Sequence, residues 1–361
     1  MLFENISKVI SQGQLLASHS WEFGAFSESL LEWHNPNLSV FGASPFPDGK
    51  IPVVQVEQVE SLSYAKLYIQ TGSTTLVDGD GAAGDPASLA VPAILIGQTN
   101  SSFLSAAHSQ IEHLLNTVPR WPNGAISHRE DYPELWADFI YMAPPALAYW
   151  AIQDANETLL RVAIEQCLLY RNELAVRHNA SYDAAGLWHH IMGPQAQDLG
   201  IWSTGNAWAA AGMARVLATG RKSPWAGALA SDLDDLTGAI RDILDATIAL
   251  DEAEPSEPLL RNYLNDTSWF GELSGTALLT ATAYRMAILE PGTFGKDYVT
   301  WADGKREEVV ERINEDGVLS PVVNPLNWTD RTPGTMSPEA QSFAVLMFAA
   351  YRDFNCSLEV E

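Results

Sequence analysis

Two aspartates stand in settings that suit acid–base chemistry. Asp138 lies in WADFIYMAPP, a mainly apolar and aromatic stretch at a helix start. Burial there disfavours the charged form, so this carboxyl is expected to hold a proton near neutral pH and act as a general acid. Asp85 lies in GDGAAGDPASLAV, directly before Pro86, where another helix opens; an aspartate in that place also serves as an N-cap. Two carboxyls converging from neighbouring helices would protonate a substrate and activate water, the common requirement of glycoside chemistry. Tryptophan recurs beside polar residues in WEFG, LEWH, ELWADFIYM, GLWHH and GIWSTGNAW. Sugar rings have apolar faces and hydroxyl edges, so indoles flanked by carboxylates and amides suit a carbohydrate pocket. Structural tryptophan in a large core is the competing reading. His128 and His190 either hydrogen-bond a substrate or pack as neutral core histidines.

The elements that must position these groups are helical. Apolar residues recur at i, i+3, i+4 and i+7 rather than alternating. The pattern predicts helices over roughly 3–17, 21–33, 56–70, 87–97, 101–117, 133–153, 157–176, 205–219, 224–250, 273–289, 298–314 and 338–354, each separated by Pro-, Gly- and Asp-rich loop sequence. Asp131, Tyr132 and Pro133 read as the cap and first-turn proline of the helix that carries Asp138. Twelve helices make six hairpins, none of which buries its apolar face alone. The expected fold is all-α, an (α/α)6 barrel with inner and outer helices, in a single domain over 1–361. Its inner helix ends would surround one pocket.

Charge narrows the functions open to the chain. With 20 Lys+Arg against 45 Asp+Glu the 361 residues carry a net charge of −25. That argues against nucleic acid and anionic lipid as partners, because both are bound by Lys and Arg. No apolar run reaches the length of a membrane span. Two cysteines, Cys167 and Cys356, form neither a zinc cluster nor a disulfide framework, although they could pair with each other. No metal spacing, G-x-S-x-G or phosphate loop is present, so the chemistry is expected to need no metal and no cofactor. GDGAAGDP reads as a flexible turn, since no strand precedes it. Asp232, Asp234 and Asp235 in SDLDDL have a spacing seen in proton-donating helical cyclases; a solvated helix face is the simpler reading. Eight N-x-[ST] sequons, at Asn5, Asn37, Asn100, Asn156, Asn179, Asn265, Asn327 and Asn355, exceed chance several-fold. They point to a secreted, glycosylated protein whose leader has been removed, although MLFENISK shows no apolar leader itself.

The order PRWPNGAISHREDYPELWADFIYMAPPALAYWA, GLWHH, WSTGNAWAAAGMARVL, ELSGTALLTATAYRM and SPEAQSFAVL resembles the unsaturated glucuronyl and rhamnogalacturonyl hydrolases, glycoside hydrolase families 88 and 105. The similarity runs from about residue 75 to the C-terminus. It implies the six-hairpin barrel and removal of a 4,5-unsaturated uronic acid from a short oligosaccharide by hydration of its vinyl ether. By the same resemblance Asp138 takes the acid/base position and Asp85 that of the second aspartate. His128, Trp136, His190, Trp202, Thr204, Asn206 and Trp208 fall on pocket-lining positions. The chain departs from the family at WSTGNAW, where Thr204 and Ala207 replace the usual Arg and Gly, and at Gly193, usually acidic. A lost guanidinium weakens recognition of a uronate carboxylate. The alternatives are therefore a glycosidase acting on a saturated uronosyl or neutral sugar, or a non-hydrolytic cyclase, lyase or sugar-binding protein on the same barrel.

Overall fold

Whether a helix is apolar all round or on one face decides its place in this fold. In the computed structural model, which describes residues 2–177 and 184–358, twelve α-helices are found. They are α1 (Leu2–Leu16), α2 (Ser20–His34), α3 (Glu60–Ala65), α4 (Ala90–Gly97), α5 (Ser101–Asn116), α6 (Phe139–Gln153), α7 (Glu157–Leu174), α8 (Ser203–Arg221), α9 (Ala230–Glu252), α10 (Leu273–Leu289), α11 (Lys296–Glu311) and α12 (Pro338–Leu358). The even-numbered helices are the buried ones: α4 is buried throughout, α6 from Phe139 to Ile152 and α8 from Ser203 to Gly220. The odd-numbered helices bury one stripe; α5 turns Phe103, Ala106, Ala107, Ile111 and Leu114 inward.

The inner helices close a ring. Helix α2 packs on a 3-10 turn, Asp85–Leu89, that leads into α4; that turn packs on α6, then α6 on α8, α8 on α10, α10 on α12 and α12 back on α2. This is the (α/α)6 barrel. Gly212 allows the α6–α8 approach, since a Cβ there would lie 2.1 Å from the Ile140 carbonyl oxygen. A two-stranded antiparallel ribbon, β1 (Leu135–Trp136) with β2 (Ile191–Met192), lies on the loop side. No helix among the described residues is long and apolar enough to cross a membrane.

Below the centre of the ring the axis is filled. Trp208 is fully buried between Tyr141 and Phe343, with ring centroids 4.5 Å apart in each case. Deeper still, Arg215 bridges Glu28 and Glu32 at 2.8 and 2.5 Å, and Arg285 joins Glu32 to Asp353 at 2.7 and 2.6 Å. The Phe41 ring lies 4.6 Å from the Arg285 guanidinium.

Three expectations need correction. The helix bearing Asp138 begins at Phe139, not Pro133, because Leu135 and Trp136 are drawn into the ribbon with Ile191 and Met192. The segment 56–70 holds only a short 3-10 turn and α3, Glu60–Ala65. Cys167 and Cys356 are both free, the first buried in α7 and the second exposed on α12. The Asp232/Asp234/Asp235 run lies on the outer helix α9, where Asp232 and Asp234 pair with Arg161 and Arg221.

Candidate active site

Each inner helix of the ring starts at the same end, and a cleft of about 190 Å3 opens there. The positive ends of several helix dipoles thus face one space, which favours an anionic ligand despite the net charge. Acidic residues stand at five of these starts: Glu22, Asp85, Asp138, Glu272 and Glu339. Two of them are occupied by backbone. Glu22 accepts from the Ser18 and His19 amides at 2.7 and 2.9 Å, and Glu272 caps α10 through Ser274 and Gly275 at 2.6 Å. Neither Asp85 nor Asp138 makes a side-chain cap, so the capping reading of Asp85 fails and both carboxyls face the cleft.

Local pairing fixes these groups. The loop before Asp85 is pinned rather than flexible: Ala82 bridges Arg129, and the Ala83 amide donates to the His128 carbonyl at 2.7 Å. This sets His128 Nε2 3.8 Å from Asp85 Oδ1. His128 stacks on Trp136 at 4.9 Å, and burial lowers its pKa to about 3, so the imidazole is neutral and its contact with Asp85 is no ion pair. The ribbon does the same for the second carboxyl. The Ala137 amide donates to the His190 carbonyl at 2.9 Å, and His190 Nε2 lies 3.3 Å from Asp138 Oδ2. Both atoms are buried and off the line of a hydrogen bond, so the contact is coulombic and leaves each free to bond a ligand.

Behind His190 a chain of polar groups stores charge. Nδ1 lies 3.1 Å from Asp198 Oδ2, which accepts from the Tyr263 hydroxyl at 2.5 Å and from Trp328 Nε1 at 3.0 Å. Burial opposes charging of His190, but the negative charge of Asp138 beside it, with the bond and charge of Asp198, outweighs it and raises its pKa. Burial likewise opposes ionisation of Asp198, yet bonds from His190 and Tyr263 draw it down to about 2. Asp85 moves the other way, up to about 8, through burial and the charge of Asp138, with Arg129 opposing. Asp85 is therefore neutral at pH 7. Trp136, Trp202 and Trp328 surround His190 at centroid distances of 5.7, 4.3 and 4.9 Å and wall the cleft.

The sequence profile described as Glycosyl Hydrolase Family 88 matches residues 89–326, more than half of the chain. The chain belongs to glycosyl hydrolase family 88. No curated protein matches the sequence significantly. Among solved structures, a possible member of glycoside hydrolase family 105 from Klebsiella pneumoniae is similar with a TM-score of 0.74 and 17% identity, covering 98% of this chain and 93% of that one. A family 88 hydrolase from Bacteroides vulgatus gives 0.66 and 15%, with 98% of each chain covered. An unsaturated glucuronyl hydrolase from Bacillus sp. GL1, described as responsible for glycosaminoglycan degradation, gives 0.63 and 13%, covering 98% and 96%. At these identities the likeness is one of fold.

Of the residues that the sequence of this family 88 chain singles out, Asp85, His128, Trp136, Asp138, His190 and Trp202 line the cleft together. Thr204, Asn206 and Trp208 do not; all three are fully buried. Thr204 Oγ1 turns toward Glu272 Oε1 at 3.5 Å, under the start of α10. The Asn206 amide ties the Trp188 backbone to the Trp202 carbonyl, which anchors the GLWHH segment on α8. Trp208 belongs to the axial packing already described. Gly193 is explained by space: a Cβ there would lie 2.2 Å from Glu134 Cγ. Glu134 instead accepts from the Gln195 and Ala196 amides, both at 2.9 Å, and from Trp136 Nε1 at 2.9 Å, and so holds the 193–196 loop against the ribbon.

Sequence reasoning missed Trp21, Arg129, Asp198, Trp328 and Glu339. Arg129 directly follows His128, and Trp21 lies in the WEFG cluster, so proximity could have flagged both. Asp198 and Trp328 reach His190 only through the fold.

The shift at Asp85 has a thermodynamic consequence. Its proton is held more tightly in the folded chain than in the unfolded one, whose ordinary value is 3.8. The contribution of Asp85 to stability should therefore be lost as pH rises from about 4 to about 8. Asp85→Asn, uncharged throughout, is expected to match wild type below about pH 4 and to melt about 7 °C higher near pH 8.5. Scanning calorimetry across that range checks both sign and window.

Proposed function

We propose that the protein removes a terminal 4,5-unsaturated uronic acid from a short oligosaccharide. What carries the reading is that two carboxyls unoccupied by capping, Asp85 and Asp138, face one tryptophan-walled cleft with His190 beside the second. Asp138, supplied with a proton by His190, delivers it to C4 of the C4–C5 double bond. The electron deficiency that results is shared by C5 and the ring oxygen. Water adds at C5 as the Asp138 carboxylate takes its proton and passes it back to His190, so both residues end as they began. The hemiketal so formed opens, leaving C1 as a hemiacetal that collapses and frees the neighbouring sugar. Asp85, neutral at pH 7, donates a hydrogen bond to the substrate without adding negative charge. None of these steps calls for a metal or a cofactor.

Arg129 offers the cleft a guanidinium, which Thr204, buried outside it, does not. It lines the cleft and is half-buried, and a guanidinium suits a carboxylate acceptor through its planar fork. Arg129→Met is expected to raise KM for an unsaturated uronyl disaccharide about tenfold or more, with a smaller change in kcat.

The deciding experiment follows the ultraviolet absorbance of the C4–C5 double bond while the protein is incubated with lyase-generated unsaturated disaccharides, both glucuronyl and galacturonyl. Decay of the absorbance with release of the second sugar is expected. No decay with any of them, alongside release of sugar from saturated oligosaccharides, would replace this reading with the saturated-substrate one.

We also propose that the protein is secreted and glycosylated. Asn37, Asn100, Asn265 and Asn327 are exposed in the fold, as glycan attachment requires; Asn179 lies outside the described residues. A loss of mass on treatment of the natively produced protein with an amidase that removes N-glycans tests this.

A further inference from the structure

We propose that Glu339, on the first turn of α12, is a substrate-contacting residue of this cleft, its Oε2 bonding a hydroxyl of the sugar while Trp21 holds Oε1. The inference rests on the reading of the cleft as a uronyl-sugar site and adds a contact that the family profile does not reach, since the matched residues end at 326.

The observation behind it is the division among the acids at the inner helix starts. Glu22 and Glu272 are bound by backbone amides. The other three, Asp85, Asp138 and Glu339, all line the cleft. Glu339 is 2% exposed, and its Oε1 accepts from Trp21 Nε1 at 2.8 Å. Its Oε2 is buried and has no partner. An unpartnered buried oxygen is costly, and a polar pair serving only to hold α12 on α2 has no need of it. The indole fixes the carboxyl plane, so Oε2 is presented in one orientation.

Protonation extends what this oxygen can do. Burial first, then the charges of Glu22 and Asp138, raise the Glu339 carboxyl well above the usual range, against the bond from Trp21. Whenever it holds its proton the carboxyl donates as well as accepts, which matches a sugar hydroxyl. It also adds no repulsion toward a uronate already facing Asp138.

Kinetics on an unsaturated glucuronyl disaccharide, with melting temperatures of the same proteins, test the assignment. Glu339→Ala is expected to raise KM about tenfold with kcat within about threefold. Glu339→Gln, which keeps both a donor and an acceptor, should stay within about threefold of wild-type KM. Glu339→Met, similar in volume, should behave like the alanine variant and stands in for it if that variant does not fold. A KM unchanged in Glu339→Ala or Glu339→Met, whether or not the melting temperature falls, would overturn the contact while leaving the proposed reaction intact. Wild-type protein that neither hydrolyses the disaccharide nor binds it, by quenching of tryptophan fluorescence, would remove the reading of the cleft and this contact together.

Discussion

Asp138→Asn is expected to lower kcat on an unsaturated uronyl disaccharide by about a thousandfold while changing KM little. General acid–base groups contribute roughly 10²–10⁴-fold, and here one carboxyl is asked to act twice, giving a proton to C4 and taking one from water. The amide keeps the shape of the side chain and its place beside His190 Nε2, 3.3 Å away in the wild type. Binding by the tryptophan walls and Arg129 is thus preserved, and the loss should appear in turnover. The charge of Asp138 also raises the pKa of His190, so the variant should lower it, an effect readable in the imidazole resonances by NMR. An undiminished rate in Asp138→Asn would transfer the proton chemistry elsewhere in the cleft.

Arg215→Met is expected to produce the largest loss of stability, about 3–5 kcal/mol, or about 5 °C in Tm for a chain of this length. Arg215 is buried and bridges Glu28 and Glu32. Glu32 retains Arg285, but Glu28 would keep no cation. Burial already raises the Glu28 carboxyl, with Arg215 opposing, so without the guanidinium Glu28 must take up a proton to stay inside. The deficit should therefore shrink as pH falls toward the ordinary range of glutamate. The double variant Glu28→Gln, Arg215→Met should recover a good part of it, because breaking a buried pair costs more than replacing both members. Thermal melts of the three proteins at two pH values measure each term.

The barrel was legible in the sequence because its two layers obey different patterns. Segments such as AVPAILIG, apolar all round, and SSFLSAAHSQIEHLLN, apolar on one face, announce inner and outer helices before any contact is known. The start of α6 was misread because Pro133 has the chemistry of a first-turn residue, whereas pairing of Leu135 and Trp136 with a segment some fifty residues away decides the conformation. Long-range pairing of that kind leaves no local trace. The site divides along the same line. Asp85, Asp138 and the histidines stand out by type and neighbours, and the cleft gathers them. Thr204, Asn206 and Trp208 sit in an aromatic, polar motif that looks like a pocket wall, but they lie on α8, an inner helix buried on every side, so none reaches the cleft. Asp198 and Glu339 gain meaning only from what stands opposite them, His190 in one case and Trp21 in the other.

The filled axis turns the barrel into a cul-de-sac. Among the described residues, Trp208, Phe343 and the Arg–Glu lattice beneath them close the axis, so whatever enters by the mouth must back out through it. If the substrate is the oligosaccharide proposed above, it can present only its terminus, and the part still projecting outward departs before the unit lodged within. On the proposed function, trimming would proceed one unit per visit, with the chain released between cuts and the lodged monosaccharide the last to leave.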